Sequence, residues 1–420
     1  MSQQHFSYRH GGLHVEDLPL AELAARFGTP CYVYSRAALT AAYESYRRVL
    51  QGPQGHDTLI CYAVKANSNL AILNLFARLG AGFDIVSGGE LSRVIKAGGD
   101  PAKVVFSGVG KSRAEIEQAL RAGIHCFNVE SASELERINE IAGTLGVRAP
   151  ISLRVNPDVD PKTHPYISTG LKNNKFGVSF ADALPLYRRA RDLPHLAIRG
   201  IDCHIGSQLL DPAPAAEAAQ KILGLVDTLA AEGMPLAHID LGGGMGIRYR
   251  DEAAPSADEY LGPILALLQG RKEKLLIEPG RSLVGNAGVL LTRVEIVKCG
   301  TEKNFAIVDA AMNDLMRPAL YDAWHDILPV AEAPAVEPLP YEIVGPVCES
   351  GDFLGQGRSL ALREGDLLAV MSAGAYGMTM SSNYNSRPRA AEVMVDGNQA
   401  HLVRRREEVA QLFEHEAVLP

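Results

Sequence analysis

The sequence predicts a TIM-like (β/α)8 α/β barrel joined to a second, mostly antiparallel β domain. Three observations carry this. Between residues 58 and 285, short apolar β-rich runs alternate with segments of helical period. The runs number eight, the count of a closed barrel. Past residue 286, helical periodicity gives way to short β-rich stretches punctuated by glycine and proline.

The eight runs are 58–64, 82–86, 103–106, 124–129, 151–155, 198–205, 237–241 and 274–277. Between them the spacing predicts helices over 69–80, 88–98, 112–122, 131–145, 180–192, 213–232 and 257–269. Several open with capping residues: Ser112 stands three positions before Glu115, and Ser131 and Ser133 open the fourth helix. Near-continuous apolar strands separated by helices imply a parallel sheet covered on its outside. A doubly wound open sheet is the alternative, but no Gly-x-Gly-x-x-Gly follows the first strand. Further on, 290–297, 305–308, 341–344, 367–370 and 391–395 read as strands, with helical character returning only at 407–413. A strand over 30–34 is expected to join them. The expected domains are 36–285, the barrel, and 1–35 with 286–420, the β domain.

Composition excludes several function classes. Hydrophobic residues make up 47% and charged residues 21%, as in a globular protein with a substantial core. A formal net charge of −8 argues against nucleic acid or an anionic membrane as partner. Arg404-Arg405-Arg406 is followed by Glu407-Glu408 and reads as a solvated face. Six scattered cysteines, with no Cys-x-x-Cys pair, fit reduced thiols rather than a disulfide framework or a zinc site. The first residues lack an apolar targeting segment and no run is long enough to span a bilayer, so a cytoplasmic location is expected.

In a barrel the chemistry collects where strands end. Those positions hold Lys65, Asp84, Ser107, Asn128, Glu130, Arg154, Asn156, His204, Gly242-Gly243-Gly244, Glu278 and Arg281. Lys65 is either a solvated cap or an amine whose burial frees it for carbonyl chemistry. The three glycines are either a flexible turn or a nest of backbone N–H groups for phosphate, at the barrel's frequent phosphate position with Arg281. Glu278, at a buried strand end, needs a cation or a proton. His204 is either a satisfied core residue or a flat face that stacks on a planar ring, and Ser207 adds a hydroxyl donor. An amine, a phosphate nest, a carboxylate and a flat group around one mouth fit pyridoxal 5′-phosphate, with Glu278 beside the ring nitrogen. No ligand spacing along the sequence marks a metal site.

Tyr62-Ala-Val-Lys65-Ala-Asn67, Phe83-Asp-Ile-Val-Ser-Gly-Gly-Glu90, His204-Ile-Gly-Ser-Gln208 and Glu278-Pro-Gly-Arg281 resemble the alanine-racemase-like, fold-type III group of pyridoxal-phosphate enzymes. That group includes the ornithine, arginine and diaminopimelate decarboxylases. The resemblance runs from about residue 20 to 410 and implies a head-to-tail homodimer with shared active sites. On the substrate side, His164–Gly170 with Asn174-Lys-Phe-Gly177, Met316-Arg317-Pro-Ala-Leu-Tyr321, Gly345–Asp352 and Ala373-Gly-Ala-Tyr376-Gly are similar to the diaminopimelate decarboxylases.

The resemblance implies Lys65 as the Schiff-base lysine and His204 as the stacking group. It places Ser207, Gly242, Gly243, Gly244, Gly280, Arg281 and Tyr376 with the cofactor, and Glu278 at its ring nitrogen. Arg281, Arg317, Tyr321, Glu349 and Tyr376 are implied to bind substrate. Cys348 and Glu349 are expected from the partner subunit, Cys348 as acid and Glu349 as anchor for the distal amine. Considered alone, Cys348 is a small loop residue. The implied reaction is decarboxylation of meso-2,6-diaminopimelate to L-lysine and CO2, with closure of loop 157–177 over substrate left open. Chemistry favours that substrate: its distal amino-acid head offers a carboxylate for a bidentate arginine and an ammonium for a glutamate. Carboxynorspermidine is the harder alternative to exclude, and ornithine and arginine fit Arg317 less well. A non-catalytic homologue and a racemase are the other readings.

Overall fold

The structure, a computed structural model, describes residues 5–160, 175–332 and 337–420. It divides into two compact units, Tyr43–Ile247 with Ala253–Ser282, and Met1–Ala42 with Arg248–Glu252 and Leu283–Pro420. Among the described residues no helix is long and apolar enough to cross a membrane.

The first unit holds the barrel. Its strands are Thr58–Ala63, Gly82–Ile85, Val104–Phe106, Cys126–Val129, Ala149–Asn156, Leu196–Asp202, His238–Asp240 and Lys274–Ile277. Each pairs in parallel with the next. The eighth pairs with the first, Leu275 opposite Thr58 and Ile277 opposite Ile60, so the sheet closes and the open-sheet alternative falls. A two-residue strand, Val178–Ser179, pairs in parallel with the end of the fifth, Val178 opposite Val155. Seven helices follow the expected positions within a few residues, Leu70–Arg78 through Ala257–Leu267. Ser112 and Glu115 form the expected capping box. Ser131 caps the next helix, whereas Ser133 lies inside it.

Two of the longer helices, Leu20–Phe27 and Arg36–Leu50, were not expected. Arg36–Leu50 precedes the first strand, and its buried residues Leu39, Tyr43, Tyr46 and Leu50 keep a helical period.

The barrel interior is layered. Cys61, Val105, Cys126 and Leu276 form an apolar floor. Two residues further along these strands lie Ala63, Ser107, Asn128 and Glu278, and strand alternation carries them to the next level. That level is polar: Asn128 Nδ2 donates to Ser107 Oγ at 3.1 Å, and Ser152 Oγ to Asn128 Oδ1 at 2.5 Å.

The other unit is built on a sheet in which Cys31–Ser35 lies between Gly288–Lys298 and Ala391–Asp396. Most of its ladders are antiparallel, but Asn304–Val308 with Leu339–Val344, and Cys31–Ser35 with Ala391–Asp396, run parallel. Leu13, Val15, Leu20, Leu23, Val33, Val289, Leu291 and Val393 share its core. Six strands of this unit escaped the sequence reading: Phe6–Arg9, Gly12–Val15 and Leu18–Pro19, which pair in turn, and three more. Phe353–Leu360 contains Gly355 and Gly357, Gln399–Arg404 mixes polar and apolar residues and buries none of them fully, and Ile327–Pro329 is three residues ending in proline. The helix expected at 407–413 is a single 3-10 turn, Val409–Leu412.

Lys111 ties the mouth of the barrel together. Its buried ammonium donates to Gly108 O and Asn128 O, each at 2.8 Å, and to Glu134 Oε1 at 2.7 Å. Replacing Lys111 with Met strands a buried carboxylate and two carbonyls, so we expect a loss of about 3–5 kcal/mol, read as a lowered midpoint of urea unfolding. An unchanged midpoint would contradict this.

Candidate active site

Lys65 does not close the first strand as the sequence suggested. The strand ends at Ala63, whose N–H reaches Pro279 O at 3.1 Å across the barrel seam. Lys65 then sits in a 3-10 turn, Val64–Ala66. Gly280 presses on this turn, since a Cβ there would lie 3.0 Å from Ala63 Cβ and 3.1 Å from Ala66 Cβ. The lysine side chain keeps 37% exposure while Asp84 beneath it has none, and Nζ donates to Asp84 Oδ2 at 2.5 Å. The amine is therefore anchored from below and open toward the mouth.

Carboxylates crowd the polar level around it. Asp202, Asp240 and Glu278 bring oxygens within 4.8 Å of one another, although nothing in their sequence spacing foretold it. Glu278 Oε1 accepts from Ser107 Oγ and Asn128 Nδ2, each at 3.4 Å. Burial raises its pKa well above the usual carboxylate range; Asp240, Asp84 and Asp202 push it further, and Lys65 opposes them. Asp202 is raised in the same way, by burial first and then by Asp240, with Arg154 opposing. Asp240 is pushed up to about 7, chiefly by burial, although its Oδ1 accepts from Gly242 N at 2.9 Å. So many buried carboxylates cannot all ionise together. Arg154, also buried, lies 3.2 Å from Glu130 Oε1 and 3.8 Å from Asp202 Oδ2.

His204 lies two residues past the sixth strand, not within it, and is half-buried. Its Nδ1 accepts from Gly243 N at 3.3 Å. Burial, then Arg154 and Lys65, pull its pKa well below the usual histidine value, so the ring is a neutral imidazole. The glycine run is dictated by packing. A Cβ on Gly243 would lie 2.2 Å from Glu278 O, and one on Gly242, where φ is +67°, 2.6 Å from His204 Nδ1. Gly242 and Gly243 direct their N–H groups at Asp240 and His204, so they are not the open nest the glycines implied. Beside them Arg281 Nε and Nη2 donate to Ser207 Oγ at 3.2 and 3.1 Å.

The remaining expected residues belong to the β unit. Arg317 is buried at the start of the helix Arg317–Tyr321, with Nη1 2.7 Å from His325 Nε2. Cys348 is an exposed free thiol whose N–H donates to Asn385 Oδ1 at 2.8 Å. Glu349 is exposed, and Oε1 accepts from Ser350 Oγ at 3.3 Å. Asp352 holds their loop by accepting from Met312 N at 2.6 Å and Val347 N at 2.9 Å. Tyr376 has φ +55°, rare for an aromatic residue and a mark of imposed backbone strain. Its segment is tightly packed, since a Cβ on Gly374 would lie 1.9 Å from Val284 O. The segment His164–Gly170, Asn174 and most of loop 157–177 lie outside the described residues.

Sequence reasoning missed Asp202, Asp240, His325 and Tyr249. Asp240 and Asp202 each end an apolar strand, and an acid ending an apolar run was the available signal. For His325 and Tyr249 the sequence holds no such signal.

Comparison with known proteins agrees with this geometry. Residues 36–285 match the family described as pyridoxal-dependent decarboxylase, pyridoxal binding domain. The chain is 61% identical to a diaminopimelate decarboxylase of Pseudomonas aeruginosa and 59% to one of Vibrio cholerae, each match covering 99% of both chains. The diaminopimelate decarboxylase of M. jannaschii superposes with a TM-score of 0.95 at 38% identity, over 100% of this chain and 99% of that one. The diaminopimelate decarboxylase of Helicobacter pylori, complexed with L-lysine, does so with a TM-score of 0.91 at 45% identity, over 94% and 99%. A barrel mouth with an anchored open amine and a proton-hungry carboxylate, together with these likenesses, shows that the chain belongs to the pyridoxal-dependent decarboxylases, in the diaminopimelate decarboxylase family.

Proposed function

We propose that this chain removes the carboxylate at one end of meso-2,6-diaminopimelate to give L-lysine and CO2, at a site organised around Lys65. The observation that carries the reading is 61% identity over 99% of both chains to a diaminopimelate decarboxylase.

The residues at the mouth fit pyridoxal 5′-phosphate. Glu278 is held in a pocket that favours a proton or a cation against it, which a pyridinium nitrogen satisfies. Asp84 Oδ1 and Asp240 Oδ2 are buried with no hydrogen-bond partner among the described residues, so the level is short of positive charge. Once bound, the cofactor supplies an electron sink for the pair left behind when CO2 departs.

The chain's own groups do the rest. Lys65, aimed by Asp84, would hold the cofactor. Glu278 would keep a proton at its ring nitrogen, and the neutral His204 would offer the ring a face that carries no competing charge. Ser207, Arg281, Gly280 and Tyr376 would hold the phosphate, with Gly244 of the glycine run, since the N–H groups of Gly242 and Gly243 are engaged by Asp240 and His204. Arg317 binds the distal carboxylate, Tyr321, Tyr376 and Arg281 orient the substrate, and Glu349 takes the distal ammonium. Cys348 delivers the proton from Sγ to the α-carbon that CO2 vacates. The β unit's exposed Cys348 and Glu349 suit service across a subunit boundary, and we propose a homodimer in which Cys348 and Glu349 of the partner subunit complete each site. Six free cysteines fit work in the reducing cytoplasm.

Separate incubations with meso-, LL- and DD-diaminopimelate, ornithine, arginine and carboxynorspermidine test the assignment. Lysine and CO2 in equal amounts from the meso isomer, faster than CO2 from any other compound, are expected; faster release from another sinks it. Cys348→Ala is expected to slow turnover by roughly 10²–10⁴-fold, the range for a lost acid.

The carboxylate cluster also predicts a pH dependence of the cofactor-free protein. Folded Asp240 keeps its proton up to about 7, whereas an unfolded carboxyl loses it near ~3.9. Raised acids stabilise the fold below the unfolded value and lose that contribution as pH climbs through the folded one. Asp240→Asn should therefore gain apparent Tm relative to the parent as pH rises from about 5 to about 8. A pH-independent difference would refute the crowding.

A further inference from the structure

We propose that His325 is a positioning residue that holds the Arg317 guanidinium, in charged and oriented form, for the distal carboxylate of the substrate. The role rests on Arg317 being the carboxylate-binding group.

The geometry permits one protonation state. Arg317 Nη1 stands 2.7 Å from His325 Nε2. A guanidinium only donates, so Nε2 must present its lone pair. His325 Nδ1 stands 2.8 Å from Met371 O, which only accepts, so Nδ1 carries the proton. The two contacts together select a single neutral tautomer. Its ring is wholly buried and meets Tyr249 edge-on at 5.2 Å and 80°. The same Tyr249 ring faces the guanidinium of Arg317 at 4.6 Å.

The histidine's backbone is held as firmly as its ring. Arg358 Nη2 donates to His325 O at 2.8 Å. Met371 N reaches Asp326 O at 2.8 Å, continuing the pairing of Ile327–Pro329 with Leu367–Val370. Both the ring and its carbonyl acceptor therefore belong to one ladder.

The chemistry of these partners differs from that around Arg154. There the guanidinium is held by Glu130 and Asp202, whose charges offset its own. The imidazole and the phenol ring are themselves uncharged, so they fix Arg317 in direction without adding a counter-charge of their own. A histidine bound through both nitrogens also resists rotation, so the fork arrives pre-oriented and binding loses less freedom.

Steady-state kinetics of the cofactor-loaded enzyme test this with His325→Leu, which removes the acceptor, and His325→Gln, whose amide oxygen restores one. We expect KM for meso-diaminopimelate to rise about tenfold or more in the Leu variant, with a much smaller change in kcat. The Gln variant should recover most of the loss, and the cofactor's visible spectrum should be unchanged in both. An unaltered KM in the Leu variant, or equal losses in Leu and Gln, would overturn the role. No turnover of diaminopimelate by the parent enzyme would instead refute the substrate reading on which the role rests. Should the Leu variant fail to fold, 15N spectra of the histidine-labelled parent decide: a proton on Nδ1 alone supports the role, and a proton on Nε2 overturns it.

Discussion

The pairing of the eighth barrel strand with the first is the constraint on which the site depends. Leu275 opposite Thr58 fixes the register, and the Ala63 N–H on Pro279 O carries the seam past the strands into the loops. That seam brings Gly280 against the turn that bears Lys65. A slip of one residue would turn Glu278 from the interior to the outside of the barrel. The amine and the carboxylate lie more than two hundred positions apart, and barrel closure is what sets both on one rim.

Closure also concentrates charge. A floor of Cys61, Val105, Cys126 and Leu276 excludes water beneath the polar level, and above it Asp84, Asp202, Asp240 and Glu278 have little solvent to share. Lys65 and Arg154 offset part of this negative charge, and protons must offset the rest. In such surroundings a ring nitrogen that brings its own proton is welcome, and the same field keeps His204 as a neutral face beside two cations. In the β unit Arg317 meets two neutral groups, the His325 imidazole and the Tyr249 ring.

Much of this was legible before folding. Apolar runs marked all eight barrel strands because a strand buried on both faces has few polar positions. Lys65, His204, Glu278 and Arg281 stood out because they interrupt or end such runs. The helix Arg36–Leu50 shows its period in Leu39, Tyr43, Tyr46 and Leu50, but it lies inside the expected barrel domain ahead of the first apolar run, where no element was assigned. Other features were hidden by their physics. Asp202, Asp240 and Glu278 meet only through closure, and Gly242 and Gly243 proved to be demanded by Glu278 O and His204 rather than by an anion alone. Phe353–Leu360 hid behind its glycines, and no spacing announces that His325 will accept from Arg317 or that Tyr376 will take a positive φ.

The central claim is that Lys65, set by closure over Asp84, is the amine that anchors the cofactor. Borohydride reduction of the cofactor-loaded enzyme followed by peptide mass spectrometry tests it most directly. The account predicts one reduced pyridoxyl phosphate per chain, on the peptide that contains Lys65. A label on Lys111 or any other lysine, or a loaded enzyme that takes no label, would contradict it.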